Sequence, residues 1–160
     1  MILRIIFIFL LFFTFTTNSY SAASSSGPTK SYYDRTAKLI TAAKKYESKG
    51  KDKKAKKRYE RALKLLLKAN EEKPNQADTL NYLGFATRKL GNYEKGEEYY
   101  LLGLKIDPNH KGINEYLGEL YVATNRTDLA KERLNVLKNC NCEEYKDLKE
   151  IIEGKKKSKY

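Results

Sequence analysis

Ala77-Asp78-Thr79-Leu80-Asn81-Tyr82-Leu83-Gly84 returns, 34 residues later, as Lys111-Gly112-Ile113-Asn114-Glu115-Tyr116-Leu117-Gly118. A repeat of this period corresponds to a helix, a turn and a second helix. One such unit cannot bury its apolar face alone, so units stack and leave an extended surface behind. In the first copy Leu80, Leu83, Gly84, Thr87 and Leu90 fall on one helical stripe, with Asp78 in the first turn and Asn75 placed to cap it. Gly91 closes that helix. A second follows from about Asn92 or Tyr93 to Ile106, with Tyr93, Gly96, Tyr99, Tyr100, Gly103 and Leu104 on its buried side and Asp107-Pro108 ending it. The copy from Lys111 follows the same plan, with Ile113, Leu117, Gly118 and Tyr121 on one helix, Asn125 at the turn, and Ala130, Leu134 and Leu137 on the next.

Working outward, an earlier pair of helical patterns is interrupted at Gly50. Tyr33, Ala37, Ile40 and Ala43 mark its first member; Ala55, Tyr59, Ala62, Leu63, Leu66 and Ala69 mark a longer second one that stops before Pro74. After Cys140-Asn141-Cys142, Tyr145, Leu148, Ile151 and Ile152 predict one more amphipathic helix, suited to cover the last apolar face of a stack. Gly154 releases a basic tail, 155–160, expected to be disordered.

The pattern resembles the tetratricopeptide repeat. Leu80, Leu83-Gly84, Thr87, Gly91, Gly96, Tyr100, Gly103 and Pro108 stand where that family has its large residue, Leu-Gly pair, aromatic, turn glycine, small residue, aromatic, small residue and proline. Asn114, Leu117-Gly118, Tyr121, Asn125, Ala130, Leu134 and Leu137 occupy the places of a weaker second copy, which has no closing proline. The resemblance implies an all-α fold, a short α-solenoid of antiparallel helix pairs in a right-handed superhelix, here with a C-terminal capping helix. The expected organisation is a degenerate, elongated helix pair over 32–74, a clear repeat over 77–110, a weaker repeat over 111–139 and the cap over 143–154.

In such a fold the first helix of each pair lines the concave groove. The resemblance therefore nominates Asn81, Phe85, Arg88, Lys89, Glu115, Glu119 and Val122 as partner-binding residues, basic toward one end and acidic toward the other, with Phe85 as an apolar anchor. Tyr82 and Tyr116 stand where the carboxylate-gripping members of the family have asparagine, which argues against that mode of binding. Gly96 and Gly103 replace the family's usual alanines; each glycine costs about 0.8–1 kcal/mol in a helix, so Gly96→Ala is expected to stabilise.

The N-terminus carries a different message. Met1 to Arg4 is short and positive, Ile5 to Phe15 is an apolar run relieved only by Thr14, and Ser21-Ala22-Ala23 supplies small residues for cleavage. Residues 1–23 thus read as a signal peptide, followed by a flexible Ser/Gly/Pro-rich linker over 24–31. The apolar run is shorter than the ~20 residues of a spanning helix, although an uncleaved anchor is the competing reading. The chain is expected to be exported, to the periplasm first, with secretion or membrane anchoring as alternatives.

Of the 160 residues, 32 are Lys or Arg and 20 are Asp or Glu, giving a net charge of +12. Lysine predominates over arginine, which with export argues against nucleic acid as partner and toward solubility and weak attraction to anionic membrane surfaces. No phosphate-binding glycine loop, paired-histidine metal motif or nucleophile context is present. We therefore expect no enzyme and no cofactor, with a protein or peptide as partner. His110 reads as a turn residue. Cys140 and Cys142 can form a disulfide in an oxidising compartment, with Cα atoms near the upper end of the accepted separation. A staple for the cap, redox exchange and metal binding all remain open at this stage, as does electrostatic attachment to an anionic polymer or lipid.

Overall fold

A computed structural model describes residues 31–158. Among the described residues there are seven helices and no strand: α1 (Tyr32–Glu47), α2 (Asp52–Glu72), α3 (Ala77–Lys89), α4 (Tyr93–Ile106), α5 (Lys111–Ala123), α6 (Thr127–Leu137) and α7 (Glu143–Ile152). They pair as α1–α2, α3–α4 and α5–α6. Successive hairpins stack through α2 on α3 and α4 on α5, and α7 closes the array against α5 and α6. The expectation of a short all-α solenoid with a capping helix is met. The signal peptide and the linker as far as residue 30 lie outside the described residues.

The turns show why the three hairpins are alike. Gly91 and Asn125, one period apart, both take a left-handed backbone, with φ of 93° and 59°. That conformation lets the next amide reach back five residues: Asn92 N–H donates to the Thr87 carbonyl and Arg126 N–H to that of Tyr121, at 3.2 and 2.7 Å. Lys51 N–H makes the same bond to Tyr46, at 2.9 Å. The elongated first pair therefore turns like the two repeats that follow it.

Two expectations about helix starts are corrected. Asn75 does not cap α3; it has φ of 59° and turns the chain, and Gln76 holds the cap position without a side-chain hydrogen bond. Ser31, assigned to the linker, caps α1 by accepting a hydrogen bond from Asp34 N–H. The tail also differs from expectation at its start, since Lys155 pairs with Glu153 and Lys156 with Asp147, which ties the segment back to α7.

The core runs the length of the stack. Ile40, Ala43, Ala55, Tyr59, Ala62 and Phe85 join the first hairpin to α3; Leu66, Leu80, Leu83 and Ala86 continue it; Tyr100, Ile113, Leu117, Leu120, Tyr121 and Ala130 fill the second half. Each of these larger side chains contributes about 1.5–3 kcal/mol on full burial. Gly84 shows how close the helices come: a Cβ there would lie 2.5 Å from the ring of Tyr100, which is wholly buried and has nowhere to go. Gly84→Ala should therefore lower the melting temperature, because overpacking costs about 1–3 kcal/mol against a helix-propensity gain of about 1 kcal/mol. At Gly96 a Cβ would meet the Gly84 carbonyl oxygen and Arg88 Cβ, both at 3.1 Å. This crowding opposes the stabilisation expected of Gly96→Ala, since the contacts belong to α3 backbone and to a side chain pinned in the core. Its melting temperature should stay close to that of the unaltered chain.

Candidate functional site

The concave side is formed by α1, α3 and α5, and its inner part is closed. Arg88 of α3 and Glu119 of α5 meet at 3.3 Å with no exposed side-chain surface on either. Around them the rings of Phe85 and Tyr116 lie 5.0 Å apart and those of Tyr59 and Phe85 5.9 Å apart. The Arg88 guanidinium stands 4.9 Å from the Phe85 ring centre and 5.1 Å from that of Tyr116, a geometry in which ring faces stabilise the cation. From α1, the Lys44 ammonium lies 4.6 Å from the Phe85 ring centre and donates a hydrogen bond to the Tyr116 hydroxyl at 3.2 Å. Glu47 accepts from the Tyr59 hydroxyl at 2.9 Å and pairs with Lys89 at 2.8 Å. Burial, then the bond to Glu47, holds the Tyr59 hydroxyl well above the ordinary tyrosine range, so it remains a donor.

Phe85, Arg88 and Glu119 are thus buried and unreachable, contrary to their assignment as groove residues. Lys89 is engaged by Glu47, and Val122 is half-buried against the second-half core. Helical geometry indicates which side of α3 and α5 faces inward, but not that α1 covers it. Asn81 and Glu115 are also largely buried, 9% and 5% exposed, but they line the edge where the concave side opens.

There a cleft of about 540 Å³ is lined by Asp78, Asn81, Tyr82, Asp107, His110, Lys111, Gly112, Glu115, Tyr116 and Glu144, among others. Beside it a second cavity of about 460 Å³ is lined by Tyr32, Tyr33, Glu72, Asp78, Asp107 and His110, among others. Asp78, Asp107 and His110 belong to both. His110 is more than a turn residue: its Nδ1 accepts from Ile113 N–H at 3.1 Å, capping α5, and its Nε2 faces Asp78 Oδ1 at 3.1 Å. The Nδ1 acceptor role places the ring proton on Nε2, directed at the carboxylate. Tyr33 and Tyr82 pack with ring centres 5.4 Å apart. Burial, then the neighbouring Tyr82 and Asp78, keeps the Tyr33 hydroxyl protonated well above its usual range.

The opening is acidic in a basic chain. Asp78, Asp107, Glu115 and Glu144 face it against Lys111 and His110. Asn81, 9% exposed, carries an amide oxygen without a hydrogen-bond partner. Its amide nitrogen approaches Gly112 so closely that a Cβ there would lie 2.8 Å away. An orphaned acceptor between two tyrosines and several carboxylates suits a ligand that brings donors or positive charge. Sequence reasoning noted Tyr82 and Tyr116 only as departures from a family pattern, read Asp78 as a first-turn acid and His110 as a turn residue, and did not single out Glu144. The aromatic at the same place in both copies was the available signal.

The cysteines are bonded to each other, with Cα atoms 5.2 Å apart, inside the accepted range and not near its upper end. Among the described residues no cluster of His, Cys, Asp or Glu could hold a metal ion, and no helix is long and apolar enough to cross a membrane.

No curated protein matches the chain. Residues 77–110 match the family model described as the tetratricopeptide repeat, the same stretch whose helix pair carries Gly84 against Tyr100. The matched hairpin is the middle one of three similarly turned hairpins, and the stack they form is a short solenoid of the tetratricopeptide-repeat type.

Proposed function

We propose that the protein is a non-enzymatic adaptor of the cell envelope, exported by its N-terminal segment, that holds one short segment of a partner protein at the open end of its concave side. The observation that carries this reading is the cleft of about 540 Å³ between α3 and α5. Its depth is limited by the Phe85, Arg88, Tyr116 and Glu119 layer, so the segment it holds is short. Asn81 supplies an acceptor for a backbone or side-chain donor, Tyr82 and Tyr116 offer ring faces, and the surrounding carboxylates favour a lysine or arginine side chain in the partner.

Site-specific photocrosslinking in cells tests this. A photoreactive side chain at Tyr82 should capture a discrete partner, and the yield should fall when Asp78→Lys and Glu144→Lys reverse the local charge. Crosslinking that arises only from Leu102, on the outer face of α4, would place the partner elsewhere and end the proposal. Cys140→Ser should leave capture intact. Loss of capture in that variant would favour an accessory redox role for the cysteine pair.

A further inference from the structure

The net charge of the folded part is concentrated in one hairpin. Residues 31–76 carry fifteen Lys and Arg against six Asp and Glu, whereas residues 77–158 carry fourteen of each. On α2, Lys53, Lys57, Arg61, Lys64 and Lys68 recur at steps of four, four, three and four, so they share one face about 22 Å long. All five are exposed, opposite the buried stripe of Ala55, Tyr59, Ala62, Leu66 and Ala69. None of them takes part in an ion pair among the described residues, although Lys68 approaches the ring of Tyr32. Glu60 is the single acid between Lys53 and Asn70. Like charges at these spacings repel and weaken a helix, so the face is not explained by the stability of α2.

At the α1–α2 turn the same hairpin forms a recess of about 280 Å³ lined by Ala42, Lys45, Tyr46, Lys49 and Lys51. Lys54 adds a further ammonium 5.9 Å from the Tyr46 ring centre. No carboxylate lines it. Three exposed lysines beside a hydroxyl-bearing ring, with no acid among them, suit a phosphate-sized anion. Lysine, a compact point charge on a flexible stem, suits a field of mobile phosphates better than the fixed two-pronged contact for which arginine is chosen. Leu67, 41% exposed, lies on the same helix beside Lys64 and Lys68 and offers an apolar contact. The apolar run Ile5 to Phe15, upstream of α1, reads as a segment that brings the chain to a membrane, in keeping with such a face.

We propose that the α1–α2 hairpin is a docking face for an anionic phospholipid surface, with a headgroup phosphate entering the Lys45, Lys49 and Lys51 recess. The lysine-rich face of α2 lies along the bilayer, and the acidic cleft is left for a protein partner.

Cosedimentation of the full chain with vesicles tests it, comparing equal parts phosphatidylglycerol and phosphatidylcholine with phosphatidylcholine alone. The apolar N-terminal run contributes to both, so the difference between them reads the hairpin. Binding to the anionic vesicles should be about tenfold or more stronger and should fade at high salt. The triple variant Lys53→Glu, Lys57→Glu and Lys64→Glu should remove the difference while retaining its helical circular dichroism; the milder Lys→Gln triple serves if it does not. Equal binding to both vesicle types, or an unchanged difference in the triple variant, overturns the proposal. So does a loss caused by Lys157→Glu alone, which would place the contact in the tail, or binding to soluble polyphosphate or an acidic peptide with no binding to vesicles.

Discussion

Glu119→Ala is expected to destabilise the folded chain by about 3–5 kcal/mol, because it strands the Arg88 guanidinium in the core without its carboxylate. Small domains are stable by about 5–15 kcal/mol in total, so the variant should unfold far earlier in urea. Arg88→Ala should be at least as severe, since it removes the ion pair and also empties the space beside the packed Phe85 and Tyr116 rings. The two effects should not add. With Arg88→Met and Glu119→Leu together neither charge of the pair remains, and replacement of a buried pair by apolar residues of similar volume is often neutral or stabilising. Unfolding curves of both singles and the double form a thermodynamic cycle. Single variants that each cost less than about 1 kcal/mol, the range of exposed ion pairs, would mean that water reaches the pair and that the inner groove is open.

This expectation changes the meaning of an obvious experiment. Reversing charge at Arg88 and Glu119 would be the natural way to probe a groove lined by them. Since both are buried, the result would be unfolding and not loss of a contact. Partner binding is better probed at Asp78 and Glu144, which border the cleft, with Glu144 the cleaner of the two because Asp78 also faces His110.

The boundaries of most elements were legible in the sequence because they rest on local chemistry. Gly50 and Gly91 stop α1 and α3, Pro108 follows α4, and the apolar spacing from Tyr145 to Ile152 delivers α7. The face that α3 and α5 turn inward was legible too. What covers that face was not, because it depends on where α1 lies, and Lys44 meets Tyr116 across 72 positions of chain. Arg88 and Glu119 looked like groove charges for the same reason. Opposite charges flanked by Phe85 and Tyr116 on neighbouring first helices also describe a buried pair, and only packing separates the two. His110 escaped notice as a cap because Ser, Thr, Asp and Asn are the usual residues there. Its imidazole does the same work with Nδ1 and uses Nε2 to hold the preceding repeat.

Leu148→Ala is expected to cost about 2–5 kcal/mol, the range for removing a fully buried leucine side chain. Leu148 belongs to α7, yet it occupies for the second repeat the place that Tyr100 fills in the first. A Cβ on Gly84 would run into Tyr100, and one on Gly118 would meet first the atoms of Leu148, at 2.5 Å. The glycine in each Leu-Gly pair thus leaves room for a large side chain, supplied from within the first unit but from beyond the second. The cap is then part of the repeat it covers. Without Leu148 the face of α5 around Leu117 and Gly118 loses its cover, and association that rises with concentration should accompany the lower stability. The disulfide makes a different and smaller contribution. It closes a ring of three residues just before α7, and by loop-closure entropy Cys140→Ser should cost only about 1–2 kcal/mol. Thermal unfolding of the two variants, with hydrogen exchange read on α5 and α7, separates these roles. Exchange in α5 should quicken strongly in Leu148→Ala and little in Cys140→Ser. The reverse order would mean that α7 is held by its covalent link and not by its fit against Gly118, and that the cysteines, not the leucine, hold the end of the stack.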